Sequence, residues 1–382
     1  MIISKSNRLQ TVTEYYFSNK LKEIDRLKAQ GHAVLNIGIG SPDLPPPKSV
    51  LETISKTALQ KHTHTYQSYQ GTPELRNAIK NFYQKNYAVK LNSDTEILPL
   101  MGSKEGIMLI SLAFLNQGDA VLIPNPGYPT YTSATKLVQA KPIFYKLSQE
   151  NNWFPDLKEL EKVNLEKVKI MWLNYPNMPT GKLATKKLFT ELISFAKKHK
   201  ILLVNDNPYS FILNKKPMSI LTVPNAKSVA IELNSLSKSF NISGWRVGMV
   251  LGKKEYIKAI LQVKSNMDSG MFYGIQKGAI TALSLDADWF EKLNKTYRFR
   301  REIVWKILDK LNCTYSKNSV GLFVWAKLPK NKKAIEFTDD LLQNKKVFIT
   351  PGTVFGTNGE GYIRVSLCAS ENILTKILNR LN

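Results

Sequence analysis

A chain of 382 residues exceeds what one hydrophobic core usually serves, so two domains are expected; 43% hydrophobic and 22% charged residues describe an ordinary soluble globular protein. The net charge of +24 raises nucleic acid or an anionic membrane as partners. Its lysines fall in short clusters such as Lys197-Lys198, Lys215-Lys216 and Lys330-Asn331-Lys332-Lys333, with no long single-sign block, so no nucleic-acid partner is expected and a lysine-biased surface that attracts anionic substrates is.

The first thirty residues are amphipathic and charged, with Leu21, Ile24, Leu27 and Lys28 at helical spacing, and lack the apolar centre of a signal peptide. They read as a helical arm ending near Gly31. The passage from Gly38 to Pro47 is turn-rich, and its prolines exclude helix. Beyond it, short apolar runs alternate with amphipathic segments. Ala120 to Ile123, Ile170 to Leu173, Ile201 to Val204, Val229 to Ile231 and Val247 to Val250 read as buried strands. Pro73 to Tyr87, Ser103 to Leu115 and Lys186 to His199 read as helices. This alternation predicts an α/β domain with a mostly parallel sheet flanked by helices. After about Asp286 the pattern changes to a long charged helix, Trp289 to Leu311, followed by strands at Leu322 to Trp325 and Tyr362 to Val365. The expected organisation is an arm over 1–45, a large domain over 46–285 and a smaller α+β domain over 286–382, completed by the arm.

Cys313 and Cys368 lie far apart without a motif, which suits a reducing cytoplasm and argues against a disulfide. His32, His62, His64 and His199 have no metal-ligand spacing, so no metal is expected. No apolar run approaches the length needed to span a membrane, and no membrane partner is expected.

The chemistry concentrates around Lys238. It lies in Asn234-Ser235-Leu236-Ser237-Lys238-Ser239-Phe240, with Arg246 eight residues on. Two serines and an arginine suit a phosphate beside an amine, and that pairing suggests pyridoxal phosphate bound as a Schiff base. Other marked positions follow strands or open helices, where α/β sheets bind ligands. Gly102-Ser103-Lys104-Glu105-Gly106 opens a helix whose free N–H groups suit a phosphate. Tyr128, in a proline-stiffened loop, offers a flat surface for an aromatic ring or simply packs. Asp206, three residues before Tyr209, is a helix cap or the partner of a pyridine nitrogen, whose charged form an anion favours. Arg364 suits a carboxylate clamp or a surface ion pair.

Taken in order, these motifs resemble the class I/II aminotransferases of the fold-type I pyridoxal phosphate enzymes, over nearly the whole chain from Gly40-Ser41-Pro42-Asp43 to Arg364. The resemblance implies that Lys238 carries the cofactor, Asp206 binds the pyridine nitrogen, Tyr209 serves the ring phenolate and Tyr128 stacks on the ring. It assigns the phosphate to Ser103, Lys104, Ser235, Ser237 and Arg246. Tyr66 matches a tyrosine that reaches the phosphate of the neighbouring subunit, which implies a homodimer. Arg364 and the backbone at Gly40 would take the substrate α-carboxylate.

The implied reaction moves an amino group from an L-amino acid to a 2-oxo acid. Trp245-Arg246-Val247-Gly248 and the run from Lys264 to Phe272 resemble the branch containing aspartate and LL-diaminopimelate aminotransferases, and Tyr15 lies where the latter carry a substrate-contacting tyrosine. A carbon–sulfur β-lyase would use the same residues. A ligand-sensing protein with this fold would carry an added DNA-binding region, for which the thirty-odd residues before Gly38 are too few.

One position departs from the family. Asparagine normally precedes Pro-Thr-Gly and donates to the ring phenolate, whereas this chain has Met178 there and Asn177 one residue earlier. Thioether sulfur donates no hydrogen bond. Either Tyr209 serves the phenolate alone or Asn177 reaches it through a shifted loop, and the Schiff-base proton is expected to be held more tightly than usual. The Met178–Pro179 bond is an expected cis peptide.

Overall fold

The computed structural model describes residues 2–14 and 16–381. The apolar runs assemble into a seven-stranded sheet of β1 (Ile97–Leu100), β2 (Ala120–Asn125), β3 (Lys141–Lys146), β4 (Val168–Leu173), β5 (Leu202–Asp206), β6 (Ala230–Ser235) and β7 (Gly248–Leu251). Their spatial order is β1-β7-β6-β5-β4-β2-β3. All neighbours run parallel except β7, which is antiparallel to both β1 and β6. Alternate side chains of a strand enter opposite faces: Met171 and Leu173 pack into one apolar layer, Ile170 and Trp172 into the other. Both faces are therefore buried, as a parallel sheet requires.

The two outermost strands escaped the sequence reading. β1 contains Pro99 and β3 contains Pro142, and β3 has mostly exposed or half-buried side chains. Proline is tolerated at sheet edges because the outer N–H groups have no ladder partner there. Helices Pro73–Tyr87 and Lys186–His199 have the expected bounds, whereas the helix expected over Ser103 to Leu115 runs Ser103–Phe114.

A second core lies over the C-terminal part of the chain. Helix Ala287–Lys310 packs on an antiparallel sheet of β8 (Thr314–Tyr315), β9 (Phe323–Lys327), β10 (Thr350–Pro351) and β11 (Tyr362–Ser366), ordered β10-β11-β9-β8. The N-terminal helix Tyr16–Ala29 joins this part through Ile24, buried with Val34, Leu342 and Phe348, and through the Lys20–Asp339 ion pair at 3.1 Å. Leu35–Asn36 then pairs in parallel with Val347–Phe348. The expected α/β architecture with a smaller α+β part is the one observed. Among the described residues no helix is long and apolar enough to cross a membrane.

Candidate active site

β2, β4, β5 and β6 end on one side of the large sheet, and the segments that follow them close a cavity of about 740 Å³ against β9, β11 and the N-terminal helix. Asp206, the last residue of β5, forms its floor. Its Oδ2 accepts from the Tyr131 hydroxyl at 2.8 Å, and Tyr131 is fixed by stacking on Trp172 with ring centroids 4.7 Å apart. Asn174 Nδ2 donates to the Asp206 carbonyl at 2.6 Å. Asp206 Oδ1 is buried without a hydrogen-bond partner among the described residues. Burial pushes this carboxyl up to about 7, against the pull of the Tyr131 hydrogen bond, and the charge of Glu232 adds to the rise.

Lys238 occupies the four-residue helix Leu236–Ser239 that follows β6 directly, so the strand end aims it at the cavity. Its Nζ donates to the Gly40 carbonyl at 2.8 Å. Burial holds the amine below its ordinary value, and the Arg364 and Arg246 charges act in the same direction. At one end of the cavity Ser235 Oγ donates to Ser237 Oγ at 2.8 Å and accepts from the Ser237 N–H at 3.1 Å. Arg246 lies opposite, in left-handed backbone at φ 58°, with Nη1 bonded to the Ser243 carbonyl at 2.9 Å. Between them the helix Ser103–Phe114 begins at Gly102, whose φ of 87° suits glycine. A Cβ there would lie 2.2 Å from Arg246 Nη2. The missing side chain brings a guanidinium against the first N–H groups of a helix, which have no intrahelical partners. Two sources of positive potential thus face one spot.

Arg364, on β11, forms the opposite wall. Its Nη2 donates to the Gly38 carbonyl at 2.9 Å. The Phe323 ring centroid lies 3.9 Å from the guanidinium carbon and that of Phe355 4.6 Å, a cation–π arrangement that fixes the plane of the fork. Met178 Sδ is 3.4 Å from Arg364 Nη1. Tyr209 reaches the cavity edge-on to Phe323, and burial raises its hydroxyl well above the usual phenol value.

Gly40, Ser103, Lys104, Tyr128, Asp206, Tyr209, Ser235, Ser237, Lys238, Arg246 and Arg364 therefore line one cavity. Asn177 is not among the lining residues; its Oδ1 accepts from the Thr180 N–H at 3.3 Å and from the Thr180 hydroxyl at 2.7 Å. The Met178–Pro179 bond is cis, as are Asn125–Pro126 and Tyr175–Pro176. Tyr66 is 90% exposed and lies outside the cavity. Tyr15 falls outside the described residues. Tyr131, Asn174, Phe323, Phe355 and, from the N-terminal helix, Phe17 and Leu21 also line the cavity and were missed. The spacing of Tyr131 three residues after Tyr128 was the one local signal.

A buried carboxylate oxygen without a donor, a group of serines, helix N–H donors and an arginine suited to an anion, and an amine, all lining one cavity, fit a flat ring bearing a protonated nitrogen and a phosphate. Pyridoxal 5'-phosphate has those groups, and with the buried Arg364 guanidinium lining the same cavity the fold and site define a fold-type I pyridoxal phosphate enzyme acting on amino acids. Residues 32–381 match the family model described as aminotransferase class I and II. LL-diaminopimelate aminotransferase of Dehalococcoides mccartyi is 40% identical over 378 residues, 98% of this chain and 97% of that protein. The enzyme of the same name from Natranaerobius thermophilus is 38% identical, with 99% of each covered. Substrate-bound BacF from Bacillus subtilis superposes with a TM-score of 0.95 at 33% identity, over 99% of this chain and 97% of that one. The chain belongs to the class I and II aminotransferases, and it is a pyridoxal phosphate-dependent transaminase.

Proposed function

We propose that this aminotransferase takes its amino group from a donor of the diaminopimelate or aspartate kind and gives it to a 2-oxo acid of the 2-oxoglutarate kind. The names and full-length coverage of its relatives support the donor class, and the net charge of +24 favours anionic substrates. The observation that carries the reading is that Lys238, Asp206 and Arg364 face the same cavity. A substrate gripped through its α-carboxylate at Arg364 can then bring its Cα hydrogen to the Lys238 amine.

In this reading Arg364 takes the carboxylate through paired hydrogen bonds, its plane already set by Phe323. The Gly40 backbone borders the same position. The cofactor, when bound, supplies an aldehyde for amine exchange and a protonated ring that takes up the electron pair left at Cα. Asp206 keeps the ring nitrogen protonated, Tyr209 donates to the ring oxygen and Tyr128 covers the ring face. Ser103, Lys104, Ser235, Ser237 and Arg246 hold the phosphate. Lys238 Nζ, whose neutral form burial favours, takes the Cα proton and later returns it.

A homodimer is part of the proposal. Tyr66 is exposed, and so are the apolar side chains of Leu59 (87%) and Met267 (57%), which is consistent with cover by a second copy. Tyr66 would then reach the phosphate of its neighbour. The free thiols Cys313 and Cys368 suit a cytoplasmic protein.

The test is a half-reaction screen. Cofactor-loaded protein is mixed singly with LL-diaminopimelate, L-aspartate and L-glutamate, and the visible absorbance and the 2-oxo acid released are followed. Bleaching with release of the matching 2-oxo acid from LL-diaminopimelate or L-aspartate is expected. Failure of both donors overturns the donor class, and pyruvate released from cystathionine without an oxo-acid acceptor would mark a lyase instead.

A further inference from the structure

A second buried carboxyl lies behind Asp206. Glu232, in β6, is fully buried, and the register sets it opposite Asn205 while Asp206 sits opposite Leu233. Successive residues of a strand point to opposite faces, so Glu232 and Asp206 occupy neighbouring strands on opposite faces of the sheet. Neutral donors surround Glu232. The Tyr83 hydroxyl donates at 2.9 Å, the Ile220 N–H at 3.0 Å and Asn205 Nδ2 at 3.3 Å. Tyr83 already accepts from Asn234 Nδ2 at 2.8 Å, so its own hydrogen is directed at Glu232. The ionised form of Glu232 is the one that uses all these donors. An anion buried with no cation beside it among the described residues costs stability, which asks for a use.

The same network ends at the site. Asn205, bonded to Glu232, also accepts from the Tyr175 N–H at 3.1 Å, next to Asn174, which holds the Asp206 carbonyl. Asn234, bonded to Tyr83, immediately precedes Ser235 of the anion cradle. We propose that Glu232 is a positioning residue for transamination, a buried anion one strand behind Asp206 whose charge retains the proton that Asp206 shares with the ring nitrogen. The proposal rests on the reading of Asp206 as the ring-nitrogen partner.

Phenols face both carboxyls. Tyr83 and Tyr87, from helix Pro73–Tyr87, face Glu232, and Tyr131 and Tyr209 face Asp206. Burial raises all four phenols, so they are neutral near pH 7. The cavity also holds Lys238, Arg246 and Arg364. Burial pushes the Glu232 carboxyl up, while its hydrogen bonds pull it down. A negative Glu232 makes a second negative charge at Asp206 less favourable, and therefore strengthens proton binding there.

The test uses the cofactor-free protein with carboxyl-13C aspartate, the Asp206 resonance being assigned by its loss in Asp206→Asn. Glu232→Gln should lower the Asp206 titration midpoint on the order of one pH unit, the size expected for two buried charges on neighbouring strands at an effective dielectric near ~20. Glu232→Asp, which keeps the charge, should recover at least half of that shift. A midpoint unchanged or raised in Glu232→Gln overturns the proposal. Should that variant fail to fold, carboxyl-13C glutamate in the wild-type protein, with the Glu232 resonance assigned by its loss in Glu232→Asp, should show Glu232 ionised near pH ~7; a protonated Glu232 there overturns the proposal equally. Cofactor affinity separates the two ideas: if Asp206→Asn binds pyridoxal phosphate as tightly as wild type, the ring-nitrogen reading fails whatever the midpoint does.

Discussion

Lys238 Nζ donates to the Gly40 carbonyl at 2.8 Å across 198 residues of sequence. The acceptor lies two residues after Gly38, whose carbonyl receives Arg364. The amine that would move the proton and the guanidinium that would hold the substrate therefore converge on one short turn. That turn is itself anchored: Asp43 receives both terminal nitrogens of buried Arg300, at 2.6 and 2.9 Å.

Replacing Lys238 by alanine removes the amine proposed to carry the proton and leaves Ser235, Ser237 and Arg246 in place. Turnover should fall by about 10³-fold or more, while cofactor still binds noncovalently. Steady-state assays and equilibrium dialysis on the same preparation separate the two effects. Activity near the wild-type level would remove Lys238 from its role.

Asp206 yields a stability prediction of unusual sign. Its pKa is raised by burial to about 7 in the folded protein, above its value in the unfolded chain. The folded state then binds the proton more tightly, so this contribution to stability is present below the unfolded pKa and is lost as pH rises through about 7. Cofactor-free Asp206→Asn should melt like wild type near pH ~4 and be the more stable protein at pH ~8, by on the order of 4 kcal/mol. Thermal melts across that range check it, and parallel curves would contradict it. Cofactor-loaded protein should reverse the ranking, because the ring nitrogen supplies the partner that Asp206 Oδ1 lacks.

Gly102→Ala tests the anion cradle. The added methyl meets the far end of a flexible side chain, Arg246 Nη2, so the guanidinium rather than the backbone is displaced. The positive φ adds a strain of about 1–2 kcal/mol. A melting temperature lower by a few degrees is expected, roughly 2–4 °C per kcal/mol for large domains. Cofactor affinity should fall about 10–100-fold, equivalent to losing one charge-assisted hydrogen bond. Affinity equal to wild type would show that Arg246 does not bear on the phosphate.

What the sequence revealed, and what it concealed, divides along contact distance. Lys238, its serines and Arg246 are legible because the strand end, the short helix and the following turn bring residues within a dozen positions of one another together. The central strands are legible because burial on both faces leaves continuous apolar runs. Tyr131 and Asn174 were hidden because each works through a bond to Asp206, 75 and 32 residues away, and neither side chain is unusual until β2, β4 and β5 lie side by side. Phe323 was read as strand core; only the pairing of β9 with β11 carries it beneath Arg364.

Met178 is where local pattern and chemistry part most sharply. Its sulfur lies beside Arg364 at the cavity, while the Oδ1 of neighbouring Asn177 accepts from Thr180. The sequence left two ways to serve the ring oxygen, and of the two side chains Tyr209 is the one that lines the cavity. Met178→Asn would add an amide donor on the same wall. A hydrogen bond to that oxygen draws off electron density and loosens the proton it shares with the nitrogen linked to Lys238. The visible absorbance of the loaded enzyme should then titrate about one pH unit lower in the variant, corresponding to about 1.4 kcal/mol. The measurement is a spectrophotometric titration of both proteins side by side. A midpoint that stays put or moves upward would mean that the thioether position has no bearing on the ring oxygen.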